Sequence, residues 1–374
     1  MVSRCVGWFG VRVVLVVVVV SGVLGAGSGS ALAVSPAARL TVHSLALPTS
    51  FSTADSAACI VQGGFDQGET PPCDGYQLTV TNSGSVTAGG PVKVTDVLPA
   101  GLKIVSVYLF WAKNRVVNEE GSVGEELYPF WSAEGEFTSF CATEAAPERA
   151  SCEFTPVVGE LHPAQRLEMD VFVAVEEGAV SGENVASVFD NGTLMGSAAS
   201  VDAIGGAVPA FGPSALFSES LGVDGQSDVQ AGDHPYDLST RFDMNTVMGV
   251  STDNEYAPTS VDGVRDVVAD LPLGFVGSSL AAPKCTFGQL QGFPKGCPLD
   301  TLVGHITTEP KGLITLSGGI YNMVPEHGVV AEFGYRDLLH NTHAIVATVA
   351  PTPAGYVVRA IARETPQISL SNVT

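Results

Sequence analysis

The chain has 374 residues, 45% of them apolar and 15% charged, which excludes wholesale disorder and supplies core for roughly two domains. Its formal net charge of −22 repels phosphate backbones and anionic lipid, so neither nucleic acid nor a membrane surface is an expected partner. The 42 glycines and 23 prolines, alongside many Val and Thr residues, favour short strands joined by turns.

Residues 1–33 read as a secretory signal peptide. Arg4 and Arg12 supply positive charge, Val13 to Val20 with Val23 and Leu24 supply an apolar core, and Ala31-Leu32-Ala33 fits a small-x-small cleavage site. The apolar stretch is shorter than the about 20 residues a spanning helix needs; an uncleaved anchor is the competing reading. No second stretch approaches spanning length, so the mature chain is expected to carry no membrane span and to be secreted or held in the cell envelope. Past the signal lie Cys59, Cys73, Cys141, Cys152, Cys285 and Cys297. An even count in an exported chain predicts disulfides, and the sequential pairing is favoured because each close pair spans a Gly-, Pro- or Ala-rich loop. None of the pairs has the tight spacing of a zinc site.

In chain order, Ala38 to Leu47 reads as a first strand. Tyr76-Gln77-Leu78-Thr79-Val80-Thr81 alternates with Tyr76, Leu78 and Val80 on one face, the period-2 pattern of a half-buried strand. Asn82-Ser83-Gly84-Ser85 is a turn. Val92-Lys93-Val94-Thr95 alternates again and ends at Leu98-Pro99-Ala100-Gly101-Leu102. Val105 to Trp111 is a further strand candidate. Cys141 and Cys152 flank an acidic loop over 142–151. Leu167-Glu168-Met169-Asp170-Val171-Phe172-Val173 is the cleanest alternating run, with its acids expected outward. Asn184 to Val188 and Ser197 to Ala203 complete the set. Short strands with turns every 8–12 residues indicate a sandwich or barrel.

The blocks Tyr76 to Gly84 and Val94 to Leu102, the Cys141/Cys152 pair, the Leu167–Val175 strand and Gly182-Glu183-Asn184-Val185-Ala186 resemble the conserved-repeat family of bacterial surface proteins, also called domain of unknown function eleven. The resemblance covers about residues 38–205. It implies an immunoglobulin-like sandwich displayed on, or released from, the cell envelope, with no catalytic residues to carry over. The chain departs from the family in an insert from Lys113 to Thr138 and in the Cys59/Cys73 loop.

The expected architecture is all-β: two immunoglobulin-like β-sandwich domains in tandem, the first over 34–207, a Pro/Gly-rich linker over 208–228, and a second over 229–374 whose carboxyl end the sequence leaves open. Tyr236 to Phe242, Val267 to Leu271, Leu313 to Leu316, Ile345 to Val349 and Tyr356 to Ala362 are its strand candidates. Asp270-Leu271-Pro272-Leu273-Gly274-Phe275 echoes the strand-ending device at Asp96 to Leu102. Residues 229–362 also resemble a segment of large exported actinobacterial proteins, through Ala231 to Pro235, the Cys285–Cys297 loop and Tyr321 to Gly334.

The mature chain lacks G-x-S-x-G, H-E-x-x-H, a P-loop and an EF-hand loop, so no catalytic residues are assigned and no enzyme is expected. His340 and His343 would share a face only on a helix, and strand or loop is expected there. Trp111 and Trp131, with Phe110 and Phe130, punctuate the insert; exposed, they could stack on sugar, and core packing is the competing reading. Asp224, Asp228, Asp253 and Asp262 are the calcium candidates, set against a solvated acidic face. No other cofactor is expected. The reading is a non-enzymatic structural or adhesive surface module whose partner is an extracellular protein or glycan. The alternatives are a carbohydrate- or calcium-binding module and, behind them, a hydrolase on a sandwich scaffold.

Overall fold

The structure, a computed structural model, describes residues 36–52, 73–117, 123–129, 137–156, 161–163, 165–205, 207–230, 232–250, 256–292, 296–310, 316–336, 341–365 and 370–373. The signal segment, Cys59, Trp131, Asp253 and His340 lie outside these residues.

The first unit begins with β1 (Leu40–Leu47), β2 (Ser50–Phe51), β3 (Asp74–Asn82), β4 (Val92–Val97), β5 (Leu102–Val117) and β6 (Val123–Pro129). It continues with β7 (Phe137–Ala145), β8 (Glu148–Pro156), β9 (Arg166–Val175), β10 (Glu183–Asp190), β11 (Thr193–Val201) and β12 (Ala203–Ile204). These strands form two five-stranded antiparallel sheets, ordered β1-β3-β9-β5-β6 and β11-β10-β4-β8-β7. A short parallel pair, β2 with β12, closes one end. Alternate residues of each strand point between the sheets. Leu40, Val42, Tyr76, Leu78 and Val80 come from one sheet and Val92, Val94, Phe154, Ala186 and Val188 from the other, and all belong to one core. The fold of this unit is a β-sandwich, built on the alternation legible in the sequence.

The turn after β3 is set by Asn82, which is fully buried and fully bonded. Its amide donates to the Val86 and Leu161 carbonyls at 2.9 and 2.8 Å, and its oxygen accepts from the Gly84 and Arg39 amides at 3.1 and 3.3 Å. Gly84 itself lies against the chain entering β1. A Cβ there would stand 2.4 Å from both the Ala37 carbonyl oxygen and the Arg39 nitrogen.

Three features depart from the sequence expectations. The acids of β9 do not face solvent: Glu168 and Asp170 are buried, as are Gln77 and Thr79 beside them on β3. At Gln77 and Asp170 the second unit comes close. Met248 and Pro258 of a hairpin made by β15 and β16, given below, line a narrow crevice with Gln77, Asp170 and Phe172. Cys141 and Cys152 do not flank a loop but stand directly opposite each other in the β7–β8 hairpin. Finally, the segment expected as a linker contains a strand, β13 (Pro213–Leu221), so ordered sheet starts well before residue 229.

The second unit continues with β14 (Asp237–Met244), β15 (Thr246–Val250), β16 (Tyr256–Ser260), β17 (Val267–Asp270), the helical turn α1 (Phe287–Leu290) and β18 (Leu302–Pro310). It ends with β19 (Leu316–Asn322), β20 (Ala331–Arg336), β21 (Thr342–Thr352), β22 (Gly355–Ala362) and β23 (Leu370–Val373). Nine strands form one hydrogen-bonded sheet, β13-β14-β23-β18-β19-β20-β21-β22-β17, while β15 and β16 pair apart from it. The pairings β14–β23 and β19–β20 each involve two residues per strand, so the sheet is narrowly joined at both places. Among the described residues its apolar core is divided. One cluster gathers Leu290, Tyr321 and Met323 about Cys285 and Cys297; another gathers Met244 and Val264.

Gly84→Ala is expected to destabilise the first unit by about 2 kcal/mol or more, because backbone on both sides of the new methyl must move. Gly192, at φ +78° with open space around it, is the control: its alanine variant incurs only about 1–2 kcal/mol of left-handed strain. Thermal melts of the two variants should separate in that order; equal melts would remove the close approach as the reason for glycine at 84.

Candidate functional site

The most developed chemical arrangement among the described residues lies inside the first sandwich. Continuing the alternation of β4 past Val92 and Val94 turns Asp96 inward. The same parity in β10 sets Asn184 in line with Ala186 and Val188, and in β1 it sets Ser44 in line with Leu40 and Val42. Asp96 pairs with Ala186 in the ladder, so Asn184 is its diagonal neighbour; Asn184 faces Ser200 on β11. Ser44 approaches from the opposite sheet.

The contacts are close. The Ser44 hydroxyl donates to Asn184 Oδ1 at 2.8 Å and shares a 3.0 Å hydrogen bond with the Ser200 hydroxyl. Asn184 Nδ2 donates to Asp96 Oδ1 at 2.6 Å. Asp96 and Asn184 have no solvent exposure and Ser44 has 3%. Asp96 Oδ2 has no hydrogen-bond partner among the described residues. Burial pushes the Asp96 carboxyl up to about 7, against the opposing pull of the Asn184 hydrogen bond. The result is a hydroxyl, a carboxamide and a carboxyl that is uncharged below about pH 7 in a row, closed off from solvent.

A second buried pair sits nearby. The Tyr76 phenol donates to Asp202 at 2.9 Å. Burial, with the adjacent Asp202 charge, pushes the phenol's pKa up; burial likewise raises that of Asp202. This pair ties β3 to the chain leaving β11.

The outer face of β1 carries the joint with the second unit. His43 meets Phe217 edge-on, with ring centroids 5.0 Å apart, and Arg39 reaches Glu219 at 3.8 Å. Thr49 and Thr246 bind reciprocally: each backbone N–H donates to the other's hydroxyl, at 3.0 and 2.9 Å. Burial, aided by the Arg241 charge, holds the His43 imidazole down to about 3, so it is neutral in ordinary buffers.

The residues singled out from sequence fall elsewhere. Trp111 lies in β5 opposite Tyr128 and Leu167; its side chain, like all of Trp131, lies outside what the structure describes. Asp224 and Asp262 each accept a hydrogen bond from a backbone N–H one or two residues on, which is turn chemistry. Asp228 is bonded through its own backbone N–H to the Ser220 carbonyl. Among the described residues no three His, Cys, Asp or Glu side chains are grouped to hold a metal. His343 lies in β21 with its ring stacked on Tyr335, centroids 5.1 Å apart. Cys141–Cys152 and Cys285–Cys297 are disulfides, and Cys73 is disulfide-bonded as well. The buried array was not singled out from sequence, although Ser44 and Asn184 lie within strands read there and one further step of the β4 parity, past Thr95, reaches Asp96.

Asp96 and His43 pull stability in opposite directions with pH. Asp96 binds a proton in the folded state up to about pH 7, whereas unfolded it releases it near 3.8, so its contribution is complete below 3.8 and is lost between 3.8 and 7. His43 stays neutral down to about 3 when folded but protonates near 6.5 when unfolded, so its contribution is complete above 6.5 and falls on acidification. Asp96→Asn keeps an acceptor for the Asn184 amide, removes the pH-dependent contribution of Asp96 and leaves that of His43 in place. From pH 4 to pH 8 the variant is expected to gain on the native protein by up to about 4 kcal/mol, the worth of roughly three pKa units. Chemical denaturation across that range reads it, and a constant difference would contradict a buried neutral carboxyl.

No family model matches the chain, and no curated protein matches it significantly. Solved structures do match. The collagen-binding domain from a Staphylococcus aureus adhesin is 9% identical over 35% of this chain and 86% of that domain, with a TM-score of 0.24. BcpA, the major pilin subunit of Bacillus cereus, is 11% identical over 87% of this chain and 67% of its own, with a TM-score of 0.26. AvmM, which catalyses macrocyclization in alchivemycin A biosynthesis, is 9% identical over 47% of this chain and 99% of its own, with a TM-score of 0.24. An adhesin, a pilin and a catalyst match equally well, so these similarities carry no argument about activity.

Proposed function

We propose that the chain is an exported, non-enzymatic surface or extracellular module with a structural or adhesive role. The observation that carries the reading is the disulfide-stapled, almost wholly β frame. Cys141–Cys152 and Cys285–Cys297 are formed and Cys73 is bonded too, and disulfides at this density belong to oxidising compartments. The reading includes the assignment of residues 38–205 to the conserved-repeat family, for which the sandwich and the order of its motifs are the support. It also includes an extracellular protein or glycan as partner.

Such a module works by holding its shape. The joint between the units is made of hydrogen bonds, an ion pair and a ring contact in and on either side of β1, which resists bending at that point. The net charge of −22 keeps the surface hydrated and discourages self-association. No helix among the described residues is long and apolar enough to cross a membrane.

The test is thiol labelling and amino-terminal mapping of the protein recovered from culture medium or cell envelope. A mature start at Val34 and no thiol reactive without reductant are expected. Free thiols, or a retained leader on protein found inside the cell, would overturn export.

A further inference from the structure

We propose that Ser44 and Asn184 form an intramolecular ester that joins the two sheets of the first sandwich covalently, with Asp96 as its catalytic acid. The inference does not depend on export. It rests on which atoms the fold brings together and on what it keeps away.

A hydroxyl, an amide and a carboxyl meet here with no solvent exposure at two of the three residues. Ser44 Oγ lies 2.8 Å from Asn184 Oδ1, so the amide carbon is no more than about 4 Å from the hydroxyl oxygen, given a C=O bond of about 1.2 Å. Closure to the roughly 3–3.5 Å of a reactive approach is a small side-chain movement. Asp96 touches the other end of the amide, 2.6 Å from the nitrogen that would leave. Burial raises its carboxyl to about 7, so about half of it carries a proton at neutral pH, and its second oxygen has no competing partner among the described residues. An acid in contact with a leaving group is the arrangement general acid catalysis requires.

The step balances without any co-reactant. Ser44 Oγ bonds to Asn184 Cγ, and the Cγ–Nδ2 bond breaks. Asp96 gives its proton to the departing nitrogen and is reprotonated by the proton that Ser44 loses. Ammonia leaves, and nothing is oxidised or reduced. Ser200, 3.0 Å from the Ser44 hydroxyl, is a positioning residue that receives or passes on its hydrogen bond. Exclusion of water protects the product from hydrolysis.

The location matters. Ser44 lies in β1, where the chain enters the unit, and Asn184 in β10 of the facing sheet, two strands from its exit at β12. Tension between the entry and the exit therefore meets a covalent bond between the sheets before it reaches the ladders.

The experiment is the intact mass of the folded, purified full chain after reduction and alkylation, followed by peptide mapping. The expected result is a mass lower by one ammonia, with the Ser44 and Asn184 peptides recovered joined and separated by hydroxylamine, which cleaves esters. Ser44→Thr should retain the loss, Ser44→Ala should restore the full mass, and Asp96→Asn should slow the reaction at least 10-fold. The full sequence mass in folded native protein overturns the proposal without recourse to any variant. A loss of ammonia that persists in Ser44→Ala overturns it as well, since that is the signature of a succinimide formed by Asn184 alone.

Discussion

The first strand constrains the rest of the molecule, because β1 must satisfy three environments at once. One edge pairs with β3 along all eight residues. Its inward positions Leu40, Val42, Ser44 and Ala46 meet the facing sheet, and its outward His43, with Arg39 just before the strand, meets β13 of the second unit. A slip of one residue would exchange these sets, putting His43 in the core and Leu45 opposite Asn184. Both faces carry a polar group that tolerates only one register, so the strand is specified by hydrogen bonds as well as by burial.

That specification has an energetic side. Burying Asp96, Asn184 and Ser44 forfeits their hydration, and a hydrogen-bonded network recovers only part of it. Well-packed apolar residues in the same places would be at least as stable. What the polar row adds is direction: Asn184 accepts from one sheet and donates within the other, so the sheets can face each other in one alignment. The raised pKa of Asp96 follows from the same desolvation that gives the row its order.

Much of the first unit was legible in the sequence, and the limits have a physical pattern. Period-2 alternation located β3, β4, β9 and β10, because one face of each strand meets the common core. It misjudged Glu168 and Asp170; at Asp170 the neighbouring cover comes from a hairpin some eighty positions later, and no local pattern encodes a distant lid. It stopped at Thr95 and so passed over Asp96; a carboxylate continuing an apolar face reads as a strand end unless its partners are known. Those partners, Asn184 and Ser44, each look like an unremarkable turn or strand residue alone. The strand at 213–221 was hidden by Pro209 and Pro213, which read as linker until a neighbouring strand claims their flank.

The two units balance core against covalent staples differently. In the first, twenty-four buried apolar residues among those described form one cluster, and Cys152 sits within it while its partner Cys141 lies on the exposed edge strand. The hairpin is already paired on both sides of that bond, so the disulfide fastens an edge that the core alone holds weakly. In the second unit the order is reversed. Among the described residues, the stretch from 271 to 301 contains no strand, and Cys285, Cys297 and Leu290 are what it contributes to a five-residue cluster. Asn322 secures the same stretch by donating to the carbonyls of Ser279, Ala282 and Pro283. A capping box between Thr286 and Gln289 turns Leu290 inward. Here the disulfide is the centre around which a small core assembles, as expected where apolar burial alone is too slight to order a long loop. Reduction should therefore act unevenly on the chain, loosening an edge in one unit and dissolving the nucleus of a core in the other.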